Sequence, residues 1–407
     1  MDLRFSAEDE AFREEVRTFL EESLRGEFAA VRGRGGPGDD DCLFEERQAW
    51  EHHLGANGWT CVAWPKEHGG RGLTLHQQVV YFEEYARARA PGRIGHIGET
   101  LLGPTLIAFG TDEQRARFLP GIVAGRELWC QGYSEPGAGS DLANVQTRAE
   151  LVDGRWSIEG QKVWTSQAHW ADWCFVLART NREAAKHKGI SYLLVPMRQD
   201  GVEIRPIHQV TGDSEFNEVF FSGATTEAEN IVGDVDGGWR VAMGTLAFER
   251  GASTLGQNLM FLNEWDEVLA AARANGRIHD ATIRQRLVDC WIRLRLMRLN
   301  AMRIMSSSHE SPPAAMVTKL FWATVHRDLG ELAMDVLGAE ATLRSATFPD
   351  GSPDFTRLQR LFLFSRSDTI YAGTNEIQRN IIGERALGLP KEPSPQGEAT
   401  RQHRAVS

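Results

Sequence analysis

The chain has 407 residues, 42% hydrophobic and 25% charged, which suffices for two or three domains with sizeable cores and excludes a disordered or fibrous protein. Its net charge of −11 argues against nucleic acid as the main partner, because phosphate backbones select a concentrated basic surface. Five cysteines (Cys42, Cys61, Cys130, Cys174, Cys290) without CxxC spacing suggest neither a disulfide framework nor a zinc site. No apolar run approaches the roughly 18 residues of a membrane span, so a cytoplasmic protein is expected.

Ser6-Ala7-Glu8-Asp9 resembles a capping box, and Phe12, Val16, Phe19 and Leu20 follow at helical spacing. Gly33–Gly38 and then Asp39-Asp40-Asp41 combine glycine entropy with like-charge repulsion, which predicts a mobile surface loop over a substrate entrance. Helical patterns resume over 43–57, 75–89 and 99–109, and Thr111 with Gln114 opens another helix. The connection from Trp59 to Trp64 is turn-rich, with aromatics expected to pack. Residues 1–125 therefore read as a helical domain.

From about Trp129 the period changes. Asp153-Gly154 between Ala149–Val152 and Arg155–Ile158 signals a hairpin, and 174–178, 191–195, 202–206 and 218–221 read as further strands, giving a β domain over 126–236. Helical periodicity returns over 239–274, 282–306, 314–337 and 357–370, a third domain spanning 237–390. In Cys290–Met297 the apolar stripe reads as core and subunit interface. Residues 391–407 form a polar tail.

Three stretches carry chemistry. In Tyr133-Ser134-Glu135-Pro136-Gly137-Ala138-Gly139-Ser140-Asp141-Leu142, Pro136 fixes one φ while Gly137 and Gly139 admit conformations closed to other residues, so backbone N–H groups can face an anion. Gly160-Gln161-Lys162-Val163-Trp164-Thr165-Ser166 and Tyr371-Ala372-Gly373-Thr374-Asn375-Glu376-Ile377-Gln378-Arg379 follow in that order. With these signatures the chain resembles the flavin-dependent acyl-CoA dehydrogenases from about Leu3 to Leu389. The resemblance implies an α+β fold: an N-terminal helical domain, a middle β-barrel-like domain and a C-terminal four-helix bundle. It also implies FAD. Side chains offer no hydride acceptor, and the missing GxGxxG loop argues against a Rossmann nicotinamide enzyme.

By resemblance, Gln131, Tyr133 and Ser134 on one strand edge and Trp164 and Ser166 on another hold the isoalloxazine ring. Ser166 lies near N5, which receives hydride, and Trp164 packs on the face away from substrate; a plain core tryptophan is the alternative. Gly139 and Ser140 meet pyrophosphate and the CoA side, and Thr374 and Glu376 contact the cofactor. Lys162 reads as half of a structural ion pair.

The proton half of the reaction requires a carboxylate in a dry cavity. Most family members place glutamate directly after the tyrosine of the last signature, where this chain has Ala372. A branch typified by isovaleryl-CoA and long-chain acyl-CoA dehydrogenases carries the base in a Glu-Arg pair of the C-terminal domain, and Leu246-Ala247-Phe248-Glu249-Arg250 occupies that place. Glu249 is then the base, with Arg250 balancing charge at the acyl-CoA site. A pairing of Glu249 with Arg250 alone is the competing reading, but adjacent helical residues point about 100° apart. The Ala372 N–H survives the change of side chain as donor to the thioester carbonyl.

The usual cross-dimer arginine has no clear match; Arg277 or Arg284 are substitutes, and Asp335 stands where many members have glutamine. These departures resemble a subgroup common in actinobacterial lipid and sterol breakdown, some of whose members form mixed tetramers. The expected activity is α,β-dehydrogenation of an acyl-CoA to the trans-2-enoyl-CoA, with electrons passed to an electron-transfer flavoprotein, in a homotetramer, a homodimer or a mixed tetramer. The alternatives are a flavin oxidase or monooxygenase on the same fold, and a non-catalytic partner subunit.

Overall fold

The structure is a computed structural model that describes residues 5–248, 253–305, 313–344, 346–347 and 353–391. Five helices come first: α1 (Ala7–Ser23), α2 (Phe44–Ala56), α3 (Leu75–Arg87), α4 (Gly103–Phe109) and α5 (Asp112–Val123). Ser6 and Asp9 cap α1 reciprocally, as do Thr111 and Gln114 at α5, so each start is fixed by its own first turn. Phe12, Val16 and Leu20 of α1 pack with Trp50, Leu54, Trp59 and Tyr81 in the first core.

Seven strands follow: β1 (Trp129–Gly132), β2 (Arg148–Val152), β3 (Arg155–Ser166), β4 (Trp173–Arg179), β5 (Ile190–Pro196), β6 (Val202–Pro206) and β7 (Phe216–Glu227). They form one sheet in the order β1-β4-β2-β3-β7-β6, with β5 paired to β4. Asp153 and Gly154 both take positive φ, 50° and 82°, which makes the β2–β3 turn the tight kind that the sequence signalled. A second core joins helices to sheet: Trp64, Leu102, Leu106 and Phe118 meet Trp129, Tyr133, Phe175 and Tyr192.

The last helices are α6 (Gly238–Phe248), α7 (Ser253–Ala274), α8 (Ala281–Met305), α9 (Pro313–Met316), α10 (Thr318–Leu337), α11 (Arg357–Phe364) and α12 (Asn375–Ile381). Val268, Leu287, Leu329, Leu332 and Leu361 build the core between α7, α8, α10 and α11. The fold is thus helical, β and helical, as the resemblance implies. The expected single helix over 239–274 is two described helices, and that over 357–370 stops at Phe364 before a 3₁₀ turn, Ser367–Thr369.

The glycine-rich stretch expected to be mobile is a docked strap. Gly33 N–H donates to the Arg89 carbonyl (2.6 Å), Gly92 N–H to that of Arg34 (2.9 Å) and Asp40 N–H to Asp213 Oδ2 (2.8 Å). Gly38 N–H reaches Glu215 Oε2 (3.3 Å), Gln167 Nε2 donates to Asp40 Oδ2 (2.5 Å), and Arg360 Nη1 of α11 donates to the Gly38 carbonyl (2.7 Å). Like-charge repulsion is overcome because buried Arg47 pairs with Asp40 at 2.9 Å and backbone amides take the remaining carboxylates. The strap therefore touches all three domains.

Burial at this junction favours the protonated carboxyl. Burial first, and then Asp41 nearby, pushes Asp213 up to about 7. Burial also pushes Glu215 well above its usual range, with Asp40 adding to it. Burial would raise Asp41 too, but His169, Asp213 and the Ser214 amide outweigh it and bring it down to about 2. Because folded Asp213 holds its proton more tightly than the unfolded residue, its contribution to stability falls as pH rises from 3.8 to about 7. Asp213→Asn should accordingly lose less stability than the parent across that interval in thermal melts; an equal or steeper fall would show Asp213 ionised in the folded chain.

Candidate active site

The first signature stretch leaves β1 and folds back on itself at Glu135–Ala138, whose backbones exchange N–H···O bonds of 3.1 and 3.0 Å. Its anchor is Glu135. One carboxylate oxygen accepts from Lys162 Nζ (2.8 Å) and the Thr147 amide (2.9 Å), the other from the Gln146 amide (2.6 Å). Lys162 has no exposed surface and also donates to the carbonyls of Tyr133 (3.2 Å) and Leu177 (2.7 Å). Burial would raise Glu135, but Lys162 and the two amide contacts hold it below its usual value, while burial lowers Lys162 against the pull of Glu135. The lysine is a structural ion-pair partner, as its sequence position suggested.

The second stretch runs along β3 and is irregular where it matters. Lys162 pairs with Val219 and Thr165 with Asn217, so the register shifts between them and a bulge carries Val163 and Trp164. Val163 N–H donates to the Ser134 carbonyl at 2.9 Å, which sets the bulge beside the end of the first stretch. Trp164 sits there at φ 61°, 58% exposed, with its ring edge to face on that of Phe216. A large side chain in left-handed backbone is uncommon, and an exposed indole gains nothing from packing. Trp164 thus lies outside the hydrophobic cores of the described chain. Ser134 and Ser166 are half-buried, and Gln167, not foreseen from the sequence, continues at φ 57° to the strap.

Gln131 on β1 keeps a buried Nε2 without a partner among the described residues. Tyr133 is buried, with its ring edge to face on Phe175 and Tyr192. Gly139 and Ser140 are exposed, and a Cβ on Gly137 or Gly139 would have open space.

In the third stretch Ala372 has φ 51° and Gly373 φ 84°. Gln378 Nε2 reaches back to the Ala372 carbonyl at 3.0 Å, a clamp that the sequence reading missed although the residue lies inside the quoted stretch. No hydrogen bond takes the Ala372 N–H among the described residues. Thr374 caps α12, and Glu376 faces solvent near Arg379. Phe364 links this turn to the strap: its ring lies 6.4 Å from that of Tyr371, and it packs on Gly38.

Glu249 and Arg250 lie outside the described residues, between α6 and α7. Asp335 forms an ion pair with Arg286; Arg277 lies against Gly338, and Arg284 is exposed on the first turn of α8. No described helix is long and apolar enough to cross a membrane, and no described cluster of His, Cys, Asp and Glu could hold a metal ion.

The first two stretches thus meet at a sheet edge and a bulge, and the third is a clamped turn linked to them through Phe364, the strap and Gln167, in a helical–β–helical frame. The chain belongs to the acyl-CoA dehydrogenase family: it matches the family's N-terminal domain over residues 6–126, its middle domain over 130–224 and its C-terminal domain over 236–387. It is 56% identical over 395 residues to acyl-CoA dehydrogenase IpdE1 of Mycolicibacterium smegmatis, covering 95% of this chain and 99% of that protein. The solved structure described as "Tcur3481-Tcur3483 steroid ACAD" superimposes with a TM-score of 0.83 at 31% identity, covering 96% of this chain and 100% of that one. The ChsE4-ChsE5 complex from Mycobacterium tuberculosis gives a TM-score of 0.80 at 30% identity, covering 96% and 100%. The chain is accordingly an acyl-CoA dehydrogenase, an oxidoreductase.

Removing one partner of the Lys162–Glu135 pair strands a buried charge. Glu135→Gln should cost about 3–5 kcal/mol in denaturant unfolding, and adding Lys162→Met should recover part of it. A loss below about 1 kcal/mol for the single change would show that the pair does not anchor the loop.

Proposed function

We propose that the chain binds FAD across the end of β1 and the β3 bulge and oxidises an acyl-CoA between Cα and Cβ. The observation that carries this reading is Trp164, an exposed indole held in disfavoured backbone directly beside the Ser134 edge. Such strain persists where the surroundings over-determine it, most often at ligand sites. The residues present fit a flavin: the Gln131 Nε2 is buried without a partner among the described residues, and the face at Gly137 and Gly139 is open to a dinucleotide.

Bound FAD supplies the acceptor for the β hydride, which no side chain can provide. The chain does the rest. Ser134 and Ser166 orient the ring by their hydroxyls, Trp164 covers the face away from substrate, and Gly139 and Ser140 face the pyrophosphate and CoA. Thr374 and Glu376 add contacts to the dinucleotide. Glu249 takes the α proton, with Arg250 balancing the charge it leaves. The Ala372 N–H holds the thioester carbonyl while negative charge develops on its oxygen, the moment when a fixed donor contributes most.

The likeness to a steroid ACAD supports an acyl group derived from a steroid. The likeness to that two-chain structure and to the ChsE4-ChsE5 complex supports a mixed assembly with a second, related chain. An exposed apolar stripe on α8, made of Val288, Ile292, Leu296 and Leu299, is a face that such an assembly would cover. An electron-transfer flavoprotein is the proposed electron acceptor.

Glu249→Gln should retain the parent's flavin content yet exchange the substrate α proton with deuterated solvent about a hundredfold more slowly or worse. Exchange within about twofold of the parent would remove Glu249 as the base. Ser166→Ala should shift the flavin's visible band with little change in melting temperature, and an unaltered band would count against its place at the ring.

A further inference from the structure

Beneath the turn at Tyr371–Thr374 lies a buried charged cluster that none of the assignments above uses. His326 of α10 is 4% exposed, with Phe261 stacked on its ring at 3.9 Å between centroids. Its Nδ1 meets Asp368 Oδ2 at 2.5 Å and its Nε2 meets Glu264 Oε2 at 2.8 Å. With an acceptor on each ring nitrogen, both must carry hydrogen for both contacts to be hydrogen bonds. Burial works against that charge, yet Glu264 and Asp368 prevail and raise the imidazole to about 10.

Asp368 is shared. Its second oxygen accepts from the Tyr371 hydroxyl at 2.6 Å, and its backbone carbonyl accepts from Lys319 Nζ at 2.7 Å. Lys319 also lies over the rings of Trp322 and Tyr371. The charged and titratable groups found around the imidazole among the described residues include Glu264 from α7, Lys319 from α10, Asp368 from the 3₁₀ turn Ser367–Thr369, and Tyr371. Tyr371 immediately precedes Ala372, whose carbonyl is held from the other side by Gln378.

Left-handed backbone is disfavoured for alanine, so the turn keeps that shape only while its flanks are held. An N–H that donates to a carbonyl also works only within a narrow range of position and direction. We propose that His326 and Asp368 are positioning residues: the imidazole fixes Asp368, Asp368 fixes the Tyr371 hydroxyl, and Tyr371 fixes the turn that presents the Ala372 N–H. This inference rests on the reading of Ala372 as the donor to the thioester carbonyl.

The two claims separate in one experiment. Flavin-loaded parent, Tyr371→Phe, Asp368→Asn and His326→Gln are titrated calorimetrically with trans-2-octenoyl-CoA and with the octyl-CoA thioether, which lacks the carbonyl. The parent should bind the thioester more tightly. Each variant should lose about tenfold in thioester affinity with thioether affinity unchanged. Tyr371→Phe keeps its ring against Trp322 and Phe364, so it reports even where His326→Gln does not fold. Variants that match the parent on both ligands, or lose both equally, overturn the positioning role. A parent that does not favour the thioester overturns the Ala372 reading itself.

Discussion

A lysine ammonium with no exposed surface stays charged only if the protein replaces the water it has lost, and Lys162 is given Glu135 and the carbonyls of Tyr133 and Leu177. Glu135 in turn accepts two backbone amides. All three ammonium hydrogens are thereby used, and the contacts of the pair reach three segments: β1's continuation, β4 and the turn into β2. The pair thus fixes the place where the Ser134 edge meets the bulge of β3. Trp164 and Ser166 follow from that bulge, since one extra residue re-aims every side chain after it.

The strap extends this constraint to the rest of the molecule. Gln167, the residue after Ser166, bonds to Asp40, and Gly38 beside it takes Arg360 and packs on Phe364, the neighbour of Tyr371. A sheet edge and a loop from the helical half are therefore joined by hydrogen bonds, and the C-terminal turn is linked to that loop by the packing of Phe364. Burial raises Asp213 and Glu215 at that contact and so favours their protonated forms beside the proposed flavin face.

Features set by neighbours in the chain were legible in the sequence. The Asp153-Gly154 turn and the Ser6 and Thr111 caps act within four residues, and their residue types admit few other conformations. The three stretches on which the proposed site is built stood out in the sequence as well, because each is confined to ten positions or fewer. What depended on distant partners was not. The strap reads as mobile because its partners come from elsewhere: Arg47 balances Asp40, and Asp213 and Glu215 accept its backbone N–H groups; the bulge at Trp164 exists only relative to β7; and His326 meets Asp368 across 42 positions. Ala372 was informative for the opposite reason: a missing carboxylate turned attention to the backbone N–H, and the structure gives that residue φ 51°.

The account is tested most directly by the visible spectrum of the chain purified alone, followed by anaerobic addition of steroid-derived and simple acyl-CoA thioesters. It predicts a yellow protein whose oxidised flavin band bleaches with at least one of them. A protein that takes up no flavin, or one whose flavin no acyl-CoA bleaches, would contradict a complete site for the reaction within this chain.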